Sequence, residues 1–238
     1  MYNLKAVIAE GMNNATTQFD RMGYIADNIS NYNTNGYKSV RFEQMLHEDG
    51  YLTGAIRTDY KNGSLVVTKN ELDVGINGAG FIPVTSADGK VAYTRDGAFK
   101  VRKDGYLATN DDWIVGGGIQ IPANYYKLQI KQNGDVNVMD REGDEPRKIG
   151  KIPLVNFQNP EGLMETDNNK LSPTSDAGKA TLIKDHQSIC QYQIEHSNTN
   201  IFNSVSEMLR INASMLASIR MMKTVDDMYN KGINIRQS

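Results

Sequence analysis

Ala26-Asp27-Asn28-Ile29-Ser30-Asn31-Tyr32-Asn33-Thr34-Asn35-Gly36-Tyr37-Lys38 says more about this 238-residue chain than any other stretch of it. Asparagine and glycine accept left-handed backbone, and asparagine side chains replace the hydrogen bonds lost at a helix end. The run with Asn28, Asn31, Asn33, Asn35 and Gly36 therefore predicts the stop of a helix followed by a shaped turn.

Upstream of it, Leu4, Ile8, Gly11, Ala15, Met22, Ile25 and Ile29 keep an alternating spacing of four and three, with Gln18 as a polar break beside Phe19. No proline interrupts them, so one helix of about seven turns is expected. Gly11 and Ala15 are small residues on that seam and would let another helix approach closely. At the other end of the chain Ile201, Val205, Met208, Asn212, Met215, Ile219, Met222, Asp226, Tyr229 and Ile233 hold the same rhythm. Asn212 and Asp226 interrupt it, as polar residues do where stability is exchanged for register or partner choice. Eleven methionines suit seams that must accommodate differing neighbours. The spacing fits either a helical hairpin closed within one molecule or helices shared between subunits, and periodicity leaves both open.

Between the helices the rhythm changes to period two. Leu65–Val67, Leu72–Ile76, Phe81–Val84, Ala92–Thr94, Phe99–Val101, Tyr106–Ala108 and Trp113–Val115 read as short strands. The pairs Asp88-Gly89, Asp96-Gly97 and Asp104-Gly105 separate several of them at the spacing of a tight antiparallel meander, with turns that need positive φ. Leu128–Ile130 and Val136–Val138 flank Asn133-Gly134, another hairpin signal, and 148–157 reads as one longer strand. From Gln158 to Lys184 the chain is polar and rich in turn signals, so mostly loop is expected there.

Composition excludes several classes. A net charge of −2 with mixed signs offers no basic stripe for nucleic acid and no polybasic run for a membrane surface. A single cysteine, Cys190, rules out an intrachain disulfide. No apolar run is long enough to span a membrane, and the first residues lack the pattern of a Sec-type signal peptide. His47, His186 and His196 show no metal-ligand spacing with one another or with Cys190. Gly75-Ile76-Asn77-Gly78-Ala79-Gly80 is glycine-rich, but no Gly-Lys-Ser/Thr follows and the next residues read as strand, so a turn or bulge is expected rather than a phosphate loop. Gly116-Gly117-Gly118 reads as a flexible bend. Asp111-Asp112-Trp113 suggests a glycosidase pair beside a stacking aromatic, yet neighbouring residues on a strand point to opposite faces. No Gly-x-Ser-x-Gly elbow is present. No enzyme, cofactor or metal is expected.

The wording of the asparagine-rich run goes further than a helix stop. It resembles the signature near the N-terminus of bacterial flagellar rod and hook proteins, roughly A-N-N-[LI]-A-N-x-x-T-x-G-[FY]-[KR]. Leu72–Phe81, followed by Ala92-Tyr93-Thr94-Arg95-Asp96-Gly97-Ala98-Phe99, looks like that family's central domain. Glu195-His196-Ser197-Asn198-Thr199-Asn200, with Glu207-Met208 and Lys223 further on, looks like its C-terminal signature, usually E-x-S-N-V-N before a long helix. Asp27 and Ser30 depart from the usual Asn and Ala. Leu216 and Ser218 stand where the family commonly has Arg and an aromatic.

The resemblance implies a structural subunit of the flagellar basal-body rod, whose terminal helices pack as an inner core with the β-domain outside it. It implies partnership with itself and with other rod and hook-family subunits. It also implies export by the flagellar type III apparatus without signal cleavage, and a periplasmic rod as destination; no nucleic acid or small-molecule substrate is expected. The expected fold is α+β: long N- and C-terminal helices packed together as a coiled-coil-like domain, with a central antiparallel β-rich domain. The expected divisions are 1–38, helix and turn; 39–64, an extended connector; 65–184, the β domain; and 185–238, a return segment and helix. The expected assembly interface comprises Leu4, Ile8, Gly11, Ala15, Met22, Asn28, Ile29, Asn31, Asn33 and Gly36 from the first end. From the second it takes Asn198, Asn200, Val205, Met208, Asn212, Met215, Ile219 and Met222. Members resembling the distal rod carry a longer segment after the asparagine-rich turn. The short Ser39–Ser64 connection therefore points to the proximal rod, with the distal rod as the alternative, since Val40-Arg41-Phe42-Glu43-Gln44-Met45-Leu46 looks distal-like. Two other classes compete: a carbohydrate-binding or hydrolytic β-domain stacking sugars on Tyr93, Tyr106 and Trp113, and a cytosolic coiled-coil adaptor.

Overall fold

The computed structural model describes residues 4–48, 51–166, 169–184 and 188–237, and it divides into two compact units. The first draws on Met1–Asn31, Val40–Asp59 and Thr199–Ser238. Helix α1 spans Leu4–Ser30 and helix α2 spans Ile201–Gln237. The stop of α1 is made as the asparagines predict: the Asn31 N–H donates to the Asp27 carbonyl at 3.0 Å, and its side-chain amide donates to the same oxygen. Asn200 caps α2, its side-chain oxygen accepting the Asn203 N–H at 3.1 Å. The segment expected as an extended connector is a hairpin of β1 (Val40–Leu46) and β2 (Leu52–Thr58), in register from Val40 opposite Thr58 to Leu46 opposite Leu52. Phe42 of β1 stacks on Tyr24 of α1, with ring centroids 5.7 Å apart.

The second unit, Tyr32–Ser39 with Tyr60–Asn198, holds the strand-rich middle. Its first half carries β3 (Leu65–Val67), β4 (Val74–Ile76), β5 (Ile82–Thr85), β6 (Val91–Thr94), β7 (Phe99–Val101), β8 (Leu107–Thr109) and β9 (Ile114–Val115). Next come β10 (Lys127–Ile130), β11 (Asp135–Met139), β12 (Arg147–Lys151), β13 (Val155–Asn156) and β14 (Leu163–Thr166). The last are β15 (Lys170–Pro173), β16 (Thr181–Leu182), β17 (Ile189–Gln191) and β18 (Gln193–Glu195). Every pairing among the described residues is antiparallel. The main sheet runs β14-β15-β6-β5-β9-β8-β7, a second runs β10-β11-β12, and β17 and β18 return to pair with β4 and β3. Alternation puts Ile82 and Val84, Leu128 and Ile130 into one core with Leu107, Val136 and Leu154. Each fully buried aliphatic there contributes about 1.5–3 kcal/mol.

Three features differ from expectation. The polar stretch from Gln158 to Lys184 is not mostly loop: β14 and β15 form a hairpin that extends the main sheet through β6. Only Leu163 of β14 is buried, so the alternation that announces a strand is missing. The expected strand over 148–157 is two strands, because Pro153 has no N–H to donate to a ladder. Gly89, Gly105 and Gly134 take the positive φ their turns require, but Gly97 does not. Its backbone lies against Val74, where a Cβ would fall 1.7 Å from the carbonyl oxygen.

Candidate functional site

The three stretches that carry the resemblance converge on one buried carboxylate. Glu195, at the end of β18, has a fully buried side chain. Its Oε1 accepts the Lys38 ammonium at 2.6 Å and the Gly63 N–H at 2.8 Å, and its Oε2 accepts the Arg95 Nε at 2.8 Å. Lys38 closes the asparagine-rich turn, and Arg95 follows β6. Two cations face one anion, and carbonyls take up the excess positive charge. Lys38 also donates to Lys61 O, and Arg95 to Gly78 O and Gly80 O. The Glu195 backbone carbonyl accepts the Gly36 N–H at 2.7 Å. Gly36 has φ of 68°, and a Cβ there would lie 2.5 Å from the Arg95 backbone, so both conformation and space require glycine.

The asparagines lace the chain to itself. Asn28 is buried and pairs with both backbone groups of Val40, accepting the N–H at 2.8 Å and donating to the carbonyl at 2.7 Å. Asn13 does the same for Leu52, at 2.7 and 3.2 Å. Two helix asparagines thus offer a strand-like pairing to the first residue of each hairpin strand and hold the hairpin on α1. Asn198 accepts the Ser39 N–H at 2.7 Å and donates to Lys61 O. Asn33 is exposed, and Asn31 and Asn200 serve the helix ends.

Helices α1 and α2 lie side by side and antiparallel. Gly11 sits against Met222, where a Cβ would be 2.9 Å from the thioether, and Arg21 is ion-paired with Glu207. Ile8, Ala15, Met22 and Ile29 are half-buried; Leu4 belongs to the helix, but its side chain, like that of Ile233, lies outside the described residues. On α2 the face turned inward is displaced from the expected seam. Ile211 is buried and Ser204, Met208, Met215, Ser218, Met222 and Val225 are half-buried. Val205, Asn212, Ile219, Asp226 and Tyr229 are exposed. The helix carries two interleaved stripes that share their apolar look; the packed one includes two serines, which disguise it in the sequence. Phe202, Leu209 and Leu216 complete the outer stripe, at 81 %, 65 % and 48 % exposure.

Sequence reading missed Glu195, Lys38 and Arg95 as interacting residues, although each lies inside a quoted signature. A charged residue among turn formers in all three was the available signal. Asn13 and the outer residues Phe202, Leu209 and Leu216 were also missed, and only the seven-residue spacing of the last three could have shown them.

The chemistry weighed for the β-rich unit is taken up elsewhere. Asp111 accepts the Thr109 hydroxyl at 2.6 Å and is ion-paired with Lys170, while Asp112 pairs with Lys100 at 2.9 Å. Burial alone would raise the Asp111 carboxyl; Lys170 and Thr109 outweigh it and hold it below the ordinary carboxylate range. The Lys170 ammonium lies 5.1 Å from the centre of the Trp113 ring. Tyr93 packs edge-on against Phe157, and Tyr106 lies beside Gly118, so the three aromatics do not form one stacking face. His47 faces Thr53, His186 lies outside the described residues, and Cys190 sits half-buried in β17. Among the described residues no cluster of His, Cys, Asp or Glu could hold a metal ion, and no helix is long and apolar enough to cross a membrane.

Comparison with known proteins gives a consistent answer. Residues 75–138 match the flagellar hook protein FlgE/F/G D1 domain. The flagellar basal-body rod protein FlgG of Buchnera aphidicola subsp. Baizongia pistaciae is 29 % identical over 238 residues, covering 88 % of this chain and 92 % of that protein. FlgG of Agrobacterium fabrum is 28 % identical, covering 94 % of this chain and 95 % of its own. The rod protein FlgF of Buchnera aphidicola subsp. Schizaphis graminum is 29 % identical over 178 residues, 69 % of this chain and 70 % of that one.

Proposed function

This chain belongs to the family of bacterial flagellar basal-body rod proteins and is a structural subunit of the rod, and on that premise we propose that it assembles through its two terminal helices and works without catalysis. The observation that carries this reading is the outer stripe of α2, where Phe202, Val205, Leu209, Leu216 and Ile219 stand exposed on one helix face. Exposed apolar surface of this extent marks a site of interaction. Helices α1 and α2 act as a coiled-coil-like pair, with Gly11 leaving room for the Met222 side chain. The Glu195 cluster fixes the turn and the return segment as one rigid joint. Asn28, Asn198 and Gly36 serve assembly by shaping that region, while Val205, Asn212 and Ile219 meet neighbouring subunits.

Partners are further copies and other rod and hook subunits. The export apparatus delivers the chain unfolded to a periplasmic rod; a single cysteine suits a chain that travels unfolded. We place it in the proximal rod, because the pairing described within 39–64 is a single hairpin, Val40–Leu46 with Leu52–Thr58, for lateral contact. The distal rod is the second reading, favoured by Met45 and Leu46, which stand 55 % and 72 % exposed on β1. Imaging basal bodies from a strain lacking this protein tests both. Rods arrested before the proximal stack is complete support the first placement, a complete proximal rod with no distal extension supports the second, and intact rods would refute the function itself.

A further inference from the structure

The chain contains four Asn-Gly pairs: Asn35-Gly36, Asn62-Gly63, Asn77-Gly78 and Asn133-Gly134. In such a pair the glycine nitrogen can attack the asparagine side-chain carbonyl, because no Cβ crowds the approach. A hydrogen bond donated by that N–H shields its proton and fixes the backbone, and so opposes the attack. Three of the pairs are protected in this way: Gly36 donates to Glu195 O at 2.7 Å, Gly63 to Glu195 Oε1 at 2.8 Å and Gly134 to Lys131 O at 2.8 Å. Two of their asparagine side chains are held as well. Asn62 Oδ1 accepts from Arg95 at 3.1 Å, and Asn133 Oδ1 accepts the Asp135 N–H at 3.1 Å. Asn77-Gly78, in the glycine-rich loop after β4, differs on both counts. Among the described residues neither the Gly78 N–H nor the Asn77 side chain has a hydrogen-bond partner, and Asn77 is exposed.

We propose that Asn77-Gly78 is a self-modification site, at which Asn77 converts to aspartate and isoaspartate as the folded chain ages. Hydroxide takes the Gly78 amide proton, and the nitrogen bonds to Asn77 Cγ. The Cγ–Nδ2 bond breaks, and ammonia leaves with a proton from water, closing a cyclic imide and returning the hydroxide. Water then opens the ring, at Cγ to give aspartate or at the main-chain carbonyl carbon to give isoaspartate. The sum is a water consumed and an ammonia released, with nothing oxidised or reduced. Either product carries a new carboxylate, and isoaspartate also adds a carbon to the backbone. The position gives this a consequence. The Asn77 N–H donates to Ser188 O at 2.7 Å, while the Gly78 carbonyl accepts from Arg95 Nη2 at 2.9 Å. A backbone lengthened between those two anchors cannot keep both. Arg95 in turn holds Glu195, to which the Gly36 and Gly63 amides donate, so the modification loosens the joint at the asparagine-rich turn. It is independent of the rod-subunit reading.

The test ages purified full-length chain in mildly alkaline buffer and maps it by peptide mass spectrometry, with an isoaspartyl methyltransferase as the probe for isoaspartate. Asn77 should gain about 1 Da roughly tenfold faster than Asn35, Asn62 or Asn133, whereas in urea all four should react at similar rates. Equal rates in the folded chain, or faster reaction at any of the other three, would overturn the site. Asn77→Gln, whose longer side chain closes a ring less readily, should stay unmodified. Hydrogen exchange then reads the joint. Protection of the Gly36 and Gly63 amides should fall by roughly tenfold in the modified fraction of aged wild type and stay unchanged in aged Asn77→Gln. Unchanged protection in modified wild type, or the same loss in the Asn77→Gln chain, would overturn the link between Asn77 and the joint.

Discussion

Glu195 is one side chain on which three distant stretches depend, and its substitution is the sharpest residue-scale test. Glu195→Gln leaves Lys38 and Arg95 buried without their carboxylate and should cost about 3–5 kcal/mol. Urea unfolding followed by Trp113, the chain's single tryptophan, reads out the unit that contains the cluster. Gly36→Val should block assembly, because it combines a left-handed backbone penalty of about 1–2 kcal/mol with a clash on Arg95. If filaments and motility match wild type, the turn does not need its glycine. Asp111 gives a pH prediction. Its folded pKa lies below the unfolded value, so its contribution is present near neutrality and lost as pH falls through the folded pKa. The stability gap between wild type and Asp111→Asn, about 1 kcal/mol or less for a partly exposed pair, should therefore vanish in acid. A gap that persists or widens on acidification would contradict the Lys170 pairing. At this scale the sequence was informative about Gly36, whose φ follows from its place in an asparagine-rich turn. It was silent about Glu195, because no local pattern reports partners 100 and 157 residues away.

The hairpin and the helices behave as separable elements. Asn13→Ala and Asn28→Ala each remove a two-point backbone pairing and should each cost about 1 kcal/mol or somewhat more. Greater protease access at the β1–β2 hairpin would accompany the loss, and an unchanged cleavage rate would mean that the Tyr24–Phe42 stack suffices. Helix α2 has one buried side chain, Ile211, among those described, so its amides should exchange faster than those of β4 or β11 in the monomer and gain protection on assembly. Equal protection of residues 205–230 and the β core at low concentration would contradict this. The strands with clean alternation, such as Lys127–Ile130, were legible from period two alone. The β14–β15 hairpin was not, because its exposed face is polar and its core face supplies little more than Leu163. The seam of α2 was legible as helix, but its expected stripe spans two faces: Met208, Met215 and Met222 turn toward α1 while Val205, Asn212 and Ile219 stand exposed, and Ser204 and Ser218 hid the packed face.

At the scale of the whole molecule, a chain that buries its aliphatic core in one unit and leaves an apolar stripe on a terminal helix needs neighbours. The central claim is that this subunit forms part of the rod by packing those helices against other subunits. A density map of the intact basal body at side-chain resolution tests it most directly. Helices 4–30 and 201–237 should lie within the rod, with Phe202, Leu209, Leu216 and Ile219 covered by an adjacent subunit. Finding those four side chains facing solvent, or the chain absent from the rod, would contradict it.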